Sequence, residues 1–184
     1  MAILEILTVP HPLLSERARP VREDEFGPEL KRHMTDMLET MYAAPGVGLA
    51  APQVSDLRRL LVCDLPEEDE DGGSEKGIVN VCLVNPEIID KAREKIRWEE
   101  GCLSVPEFWE YFERPRWVTV RYQTPLGETV EQTFADYHAV IVQHEMDHLE
   151  GVIILDRVSR LKRSRYIRKV RKERKRAEAE ALYD

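Results

Sequence analysis

No stretch of about twenty apolar residues occurs in the 184-residue chain, which excludes a transmembrane helix. The opening MAILEILTVPHPLL has no basic start and carries Glu5 inside its apolar part, so it does not read as a secretion signal. Cysteine is scarce. Cys63, Cys82 and Cys102 are odd in number and widely spaced, which argues against a disulfide framework and for a reducing compartment, most simply the cytoplasm. Internal repeats and a dividing linker are also missing, and the length suits one domain with its own core. Acidic residues are sparse only at the end: from Arg157 on there are 12 Lys and Arg against 4 Asp and Glu, and the rest of the chain holds 15 against 31. The net charge of −8 therefore hides an acidic body, 1–158, and a basic tail, 159–184. Phosphate contact is the first reading of such a tail, and a merely solvated helix is the second.

Apolar residues at helical spacing (Leu30, Met34, Met37, Leu38, Met41) predict an amphipathic helix over 24–42, ended by Pro45 and Gly46. RRLLVCDL reads as a strand, and EEDEDGGSEKG near 67–77 as a solvated loop. IVNVCLVNP and the stretch after Glu87 read as two strands with a turn at Asn85-Pro86. WVTVRYQ and TVEQTF flank the turn signal TPLGE and predict a hairpin. A helix follows over Asp136 to Leu149 with Asp136 as its N-cap, and the tail lacks Gly and Pro and should be helical. The class is α+β: mostly antiparallel strands around the 136–149 helix, with a C-terminal helix.

That central helix carries VQHEMDHLEG. Each helical residue advances about 100°, so His144 and His148 share a face and Glu145 can reach the same cavity. The pattern H-E-x-x-H supplies two metal ligands and a general base. A tetrahedral catalytic site needs a third protein ligand. The downstream places used by two known metallopeptidase patterns do not provide it: one holds Ile154, and 157–172 contain no carboxylate. His33 sits on a polar stripe and reads as solvated, while Cys63 and Cys82 lie in apolar strand runs and read as small core residues. Cys102, in WEEGCLSVPE, sits in a rigid loop between Gly101 and Pro106. Taken by itself it reads first as another buried cysteine. As a thiolate beside two imidazoles it would complete a Cys-His-His site.

GVGLAAPQ (Gly46 to Gln53), EGCLS (Glu100 to Ser104) and HEMDH, in this order and near these spacings, resemble the motifs of peptide deformylases, and HPLL from His11 is similar to that family's N-terminal segment. The resemblance runs to about residue 170. It implies a hydrolase that removes the formyl group from the N-terminal formylmethionine of nascent polypeptides and releases formate. It implies that Cys102, His144 and His148 hold one divalent metal ion, Fe(2+) in the family, with Zn(2+), Ni(2+) or Co(2+) able to take the site. Glu145 would carry the proton, and the Gln53 side-chain amide and Leu103 backbone N–H would stabilise the oxyanion. The methionine pocket would be walled by Val47, Tyr137, Val140 and Ile141, each of which reads equally well as plain core. Gly48 resembles the family position that holds the substrate main chain, and Glu100 either does the same or holds the loop at Gly101. Asp147 either orients a group behind the ligands or lies at the surface. For the tail, the resemblance implies docking on the ribosome near the exit tunnel. One departure stands out: relatives often carry a polar or basic residue near Trp109, followed by aliphatic ones, whereas this chain reads FWEYFERPR.

Overall fold

The structure, a computed structural model, describes residues 2–66 and 78–180. The acidic stretch expected to be a solvated loop, 67–77, lies outside the described residues.

The first helix, α1 (Pro28–Ala43), starts later than its apolar periodicity suggested. Gly27 at φ 142° and Pro28 at the first helical position set the boundary, and Glu23–Glu25 form a separate 3₁₀ turn. Met34, Met37 and Met41 are fully buried, each contributing roughly 1.5–3 kcal/mol of burial energy. After Pro45 and Gly46 come β1 (Gly48–Ala50), a 3₁₀ turn over Ala51–Val54, and β2 (Leu60–Pro66). Successive β2 side chains point to opposite faces. Leu60 and Val62 join the cluster beneath α1, while Leu61, Cys63 and Leu65 join the cluster on the other side. A strand covered on both faces reads as an unbroken apolar run, as LLVC does.

Next come β3 (Ile78–Lys91), β4 (Lys95–Cys102), β5 (Val105–Pro115), β6 (Trp117–Gln123) and β7 (Thr129–Ala135). The main sheet has the order β1-β2-β3-β6-β7 with antiparallel neighbours, and β4-β5 form a separate two-stranded hairpin. The turn expected at Asn85-Pro86 is instead a bulge within one continuous strand. Asn85 takes φ 52°, and its side chain bonds Val21 on both its N–H and C=O and also bonds Gln123. That anchorage replaces a reversal of the chain. The β6–β7 hairpin forms as expected.

The central helix α2 (Asp136–Leu149) lies on the second face of the sheet, packing Ala139, Val142, Met146 and Leu149 against Leu61, Val120 and Phe134. Asp136 is not its N-cap. Ala135 holds that place without a side-chain cap bond, and Asp136 is the first helical residue, its carboxylate paired with Arg116 at 2.9 Å.

The tail forms α3 (Arg160–Glu180). Its first half is docked: Tyr166 is buried, its hydroxyl donates to the Pro106 carbonyl at 2.7 Å, and Ile167 and Val170 pack on the cluster of Leu14, Val105, Phe112 and Leu155. Lys162 pairs with Glu110, and Lys169 with Glu107 at 2.7 Å. Among the described residues, no helix is long and apolar enough to cross a membrane.

Candidate metal centre

One turn of α2 sets the rings of His144 and His148 5.2 Å apart, centroid to centroid. Cys102, at the end of β4, brings its Sγ to 3.3 Å from His148 Nε2. One ligand atom from each of the three residues lies within 4.8 Å of the others. A half-buried cysteine sulfur and two buried imidazoles fit a divalent ion of intermediate softness.

A chain of ion pairs stands behind the trio. His144 Nδ1 lies 2.8 Å from Glu100 Oε2, and Arg114 grips both Glu100 oxygens at 2.6 and 2.8 Å. Arg114 also donates to Asp147 Oδ2 at 2.9 Å, and Arg157 donates to both Asp147 oxygens, at 2.6 and 2.9 Å. Burial would raise the Glu100 carboxyl, but the bonds from Arg114 and His144 outweigh it and hold the group at about 2. An ionised Glu100 can only accept, so Nδ1 of His144 carries the hydrogen and Nε2 is left as the free donor of a lone pair. Burial would likewise lower His144, but the bonds from Cys102 and Glu100 outweigh it and push it up to about 10. Burial and the neighbouring His144 and Arg114 charges push His148 well below its ordinary value.

Glu145 is buried beside the trio. Burial pushes its carboxyl up to about 7 against the pull of His144 and Arg114. Its Oε2, like Nδ1 of His148, has no hydrogen-bond partner among the described residues. Gly48 makes the room: a Cβ there would stand 2.4 Å from Glu145 Oε1 and 2.8 Å from its Cδ. On the other side the Gln53 amide is fixed at both ends. Its Oε1 accepts from the Ala50 N–H at 2.8 Å, and its Nε2 lies 3.1 Å from Ser104 Oγ and 3.8 Å from Cys102 Sγ.

These groups open onto a cavity of about 430 Å³. Gln53, Cys102, Leu103, His144 and Glu145 line it, and so do all six expected pocket residues, Val47, Gly48, Glu100, Tyr137, Val140 and Ile141. Val140 and Ile141 are also buried, so the wall of the cavity and the core are here the same side chains. Tyr137 stacks on Trp98 at 5.1 Å. The Glu100 carboxylate is taken up by Arg114 and His144.

Two expectations are corrected. His33 is not merely solvated: it is half-buried, with Nε2 3.0 Å from Asp56. Cys102 is the last residue of β4 and not part of a rigid loop beside a strand. Arg114 and Ser104 had not been singled out. Arg114 had a readable signal: on β5 it follows Phe112 at i+2, an inward charge on an apolar face. That signal needs β5 recognised as a strand.

A half-buried sulfur and two buried imidazoles beside a buried carboxylate with one unpartnered oxygen among the described residues, set on this α+β fold, define a metal-dependent hydrolase of the H-E-x-x-H kind. The sequence model of the polypeptide deformylase family matches residues 3–164. The chain belongs to that family, whose members remove the formyl group from nascent peptides. The peptide deformylase of Phenylobacterium zucineum is 49% identical over 177 residues, covering 96% of this chain and all of that one. The peptide deformylase of Caulobacter vibrioides is 46% identical over 181 residues with the same coverage. The crystal structure of peptide deformylase from Ehrlichia chaffeensis superposes with a TM-score of 0.87 at 37% identity, over 96% of this chain and 99% of that one.

Proposed function

We propose that the cavity takes the formylmethionine end of a nascent polypeptide and that Cys102, His144 and His148 hold the one divalent ion the reaction needs, Fe(2+) in the first place and Zn(2+), Ni(2+) or Co(2+) as alternatives. Such an ion lowers the pKa of a bound water and draws charge from a carbonyl oxygen. The residues of the chain do the rest. Glu145 takes the proton of the attacking water and returns it to the departing amine nitrogen. The Gln53 amide and the Leu103 N–H donate to the oxygen that gains charge. Gln53 is suited to this because the Ala50 N–H fixes its orientation before substrate arrives. Glu100, held by Arg114, keeps His144 in the tautomer that can bind metal. Val47, Tyr137, Val140 and Ile141 receive the methionine side chain, and the Gly48 backbone the substrate main chain.

We further propose that residues 1–158 form the catalytic body and 159–184 a basic helix that meets a polyanion, the ribosomal surface near the exit tunnel, in the cytoplasm. The high density of Lys and Arg on α3 supports this.

The observation that carries the reading is the buried Glu145 carboxylate beside the trio, whose Oε2 has no hydrogen-bond partner among the described residues. The test is formate release from formyl-Met-Ala by protein purified without oxygen, with its metal content measured. Formate release by the wild type, and a Glu145→Gln protein that keeps its metal but loses about 10²–10⁴-fold in turnover, is expected. A wild type with bound metal and no formate release overturns the reading.

A further inference from the structure

Arg157 belongs by sequence to the basic end of the chain, yet its guanidinium is bonded to the body. It closes the 3₁₀ turn Ile154–Asp156, three residues before α3 begins. Its Nε donates to Asp147 Oδ2 at 2.9 Å and its Nη2 to Asp147 Oδ1 at 2.6 Å. Asp147 stands on α2 one residue before His148, and its side chain is 21% exposed. It therefore lies behind the two imidazoles and not at the open surface. A carboxylate in the last turn of a helix opposes the macrodipole, so it needs a cation. Arg114 is already divided. Its Nε and Nη2 are on Glu100, and Nη1 reaches Asp147 on the same Oδ2 that Arg157 takes. The Arg114 side chain is 5% exposed and that of Glu100 3%, so water offers neither much help. Two carboxylates would share one guanidinium if Arg157 did not supply a second.

We propose that Arg157 is a positioning residue for the metal centre: by holding Asp147 it leaves Arg114 on Glu100, and Glu100 keeps the His144 ring turned to the ion. The proposal rests on the reading of Cys102, His144 and His148 as metal ligands. Each link is a direct bond. Arg157 to Asp147, Asp147 to Arg114, Arg114 to Glu100 and Glu100 to His144 Nδ1 all measure between 2.6 and 2.9 Å. Without Arg157, the Asp147 carboxylate keeps Arg114 as its one partner among the described residues and draws that guanidinium away from Glu100. A Glu100 held less firmly fixes the plane and tautomer of the His144 ring less well. The fault lies in an unbalanced charge, so removing the Asp147 charge as well should mend it. Groups in one such chain are coupled, and their substitutions do not add. The Arg157 side chain is 40% exposed, so water screens part of its effect. Its loss should therefore weaken the centre less than loss of a partner bonded to the ligand itself.

The test titrates the metal-stripped full-length chain with Co(2+) and reads affinity from the thiolate-to-cobalt absorption. In parallel, NMR follows the exchange of the His144 ring N–H with water before metal is added. Arg157→Met should weaken Co(2+) binding roughly 3- to 10-fold, below the 10- to 100-fold typical of a partner bonded to the ligand, and should speed exchange of the ring N–H. Arg157→Lys, which keeps the charge, should retain most of the affinity. Arg157→Met combined with Asp147→Asn should bind Co(2+) nearly as tightly as wild type and slow the exchange again. A purely structural role predicts the opposite, with the double variant weaker than either single one. Unchanged affinity in Arg157→Met, whatever its melting temperature, overturns the proposal, and so does a double variant no tighter than Arg157→Met. In that case Co(2+) binding by the wild type leaves the metal reading standing. A wild type that binds no Co(2+), with ring exchange that speeds in Arg157→Met and slows again in the double variant, supports the positioning of His144 by Arg157 and refutes the metal reading.

Discussion

Gly48 and Arg114 act on the site without being metal ligands or proton carriers. The Gly48 backbone lies against the Glu145 carboxylate so closely that an added methyl group would overlap it. Gly48→Ala should therefore displace Glu145 and lower kcat by about 10²-fold or more, while metal content by elemental analysis stays at the wild-type level. A Gly48→Ala protein with normal kcat would show that Glu145 has room the structure does not reveal. Arg114 stabilises the site electrostatically. Replacing it with Met leaves the Glu100 carboxylate buried without its main partner, which costs about 3–5 kcal/mol, and loosens the hold on His144, which costs about 10–100-fold in metal affinity. Thermal melts and a metal titration of Arg114→Met check both; a protein that loses stability yet binds metal as tightly as wild type would limit Arg114 to the fold. The motif residues Glu145, His144 and His148 were legible because their spacing alone implies a chemistry. Arg114 was not, because its meaning comes from Glu100 across the hairpin and Asp147 on α2. Cys102 was ambiguous in the sequence for the same reason: nothing near it in the chain names its partners, which lie 42 and 46 residues on.

At the level of elements, periodicity revealed α1, α2, β2 and the β6–β7 hairpin, because each buries a regular stripe or a whole strand. It misplaced the β3 bulge because Asn85 is anchored by Val21, 64 residues earlier in the chain. It passed over β5, whose two faces both carry aromatic and charged side chains: Phe112 and Arg114 face inward, and Trp109 and Tyr111 outward. The composition of α3 suggested an appendage, yet its few apolar residues dock it. Ending the chain after Ser159 removes Tyr166, Ile167 and Val170 from their cluster and should cost about 2–3 kcal/mol of stability. Ending it after Arg174 keeps those residues and the Arg174 bonds to Thr8 and Val9, and should cost less than about 1 kcal/mol. Denaturant melts of the two truncated chains decide this. If both match the full-length protein, the packing of α3 contributes nothing measurable.

Over the whole molecule, the sheet, the hairpin and α2 each supply a part of one centre: β1 makes room for Glu145, β4 brings Cys102, and α2 presents the two imidazoles. The acidic body and basic α3 divide the surface charge, so any association through α3 should weaken steeply with salt, as co-sedimentation with ribosomes across a salt series would show. The central claim is that Cys102, His144 and His148 hold one catalytic ion. Its most direct test is to strip the anaerobically purified protein with a chelator and follow formate release from formyl-Met-Ala while Fe(2+) is returned stepwise. The account predicts no turnover in the stripped protein and full recovery at one equivalent, with Cys102→Ser failing to recover at that ratio. Undiminished turnover without metal, or full recovery of Cys102→Ser at one equivalent, would contradict it.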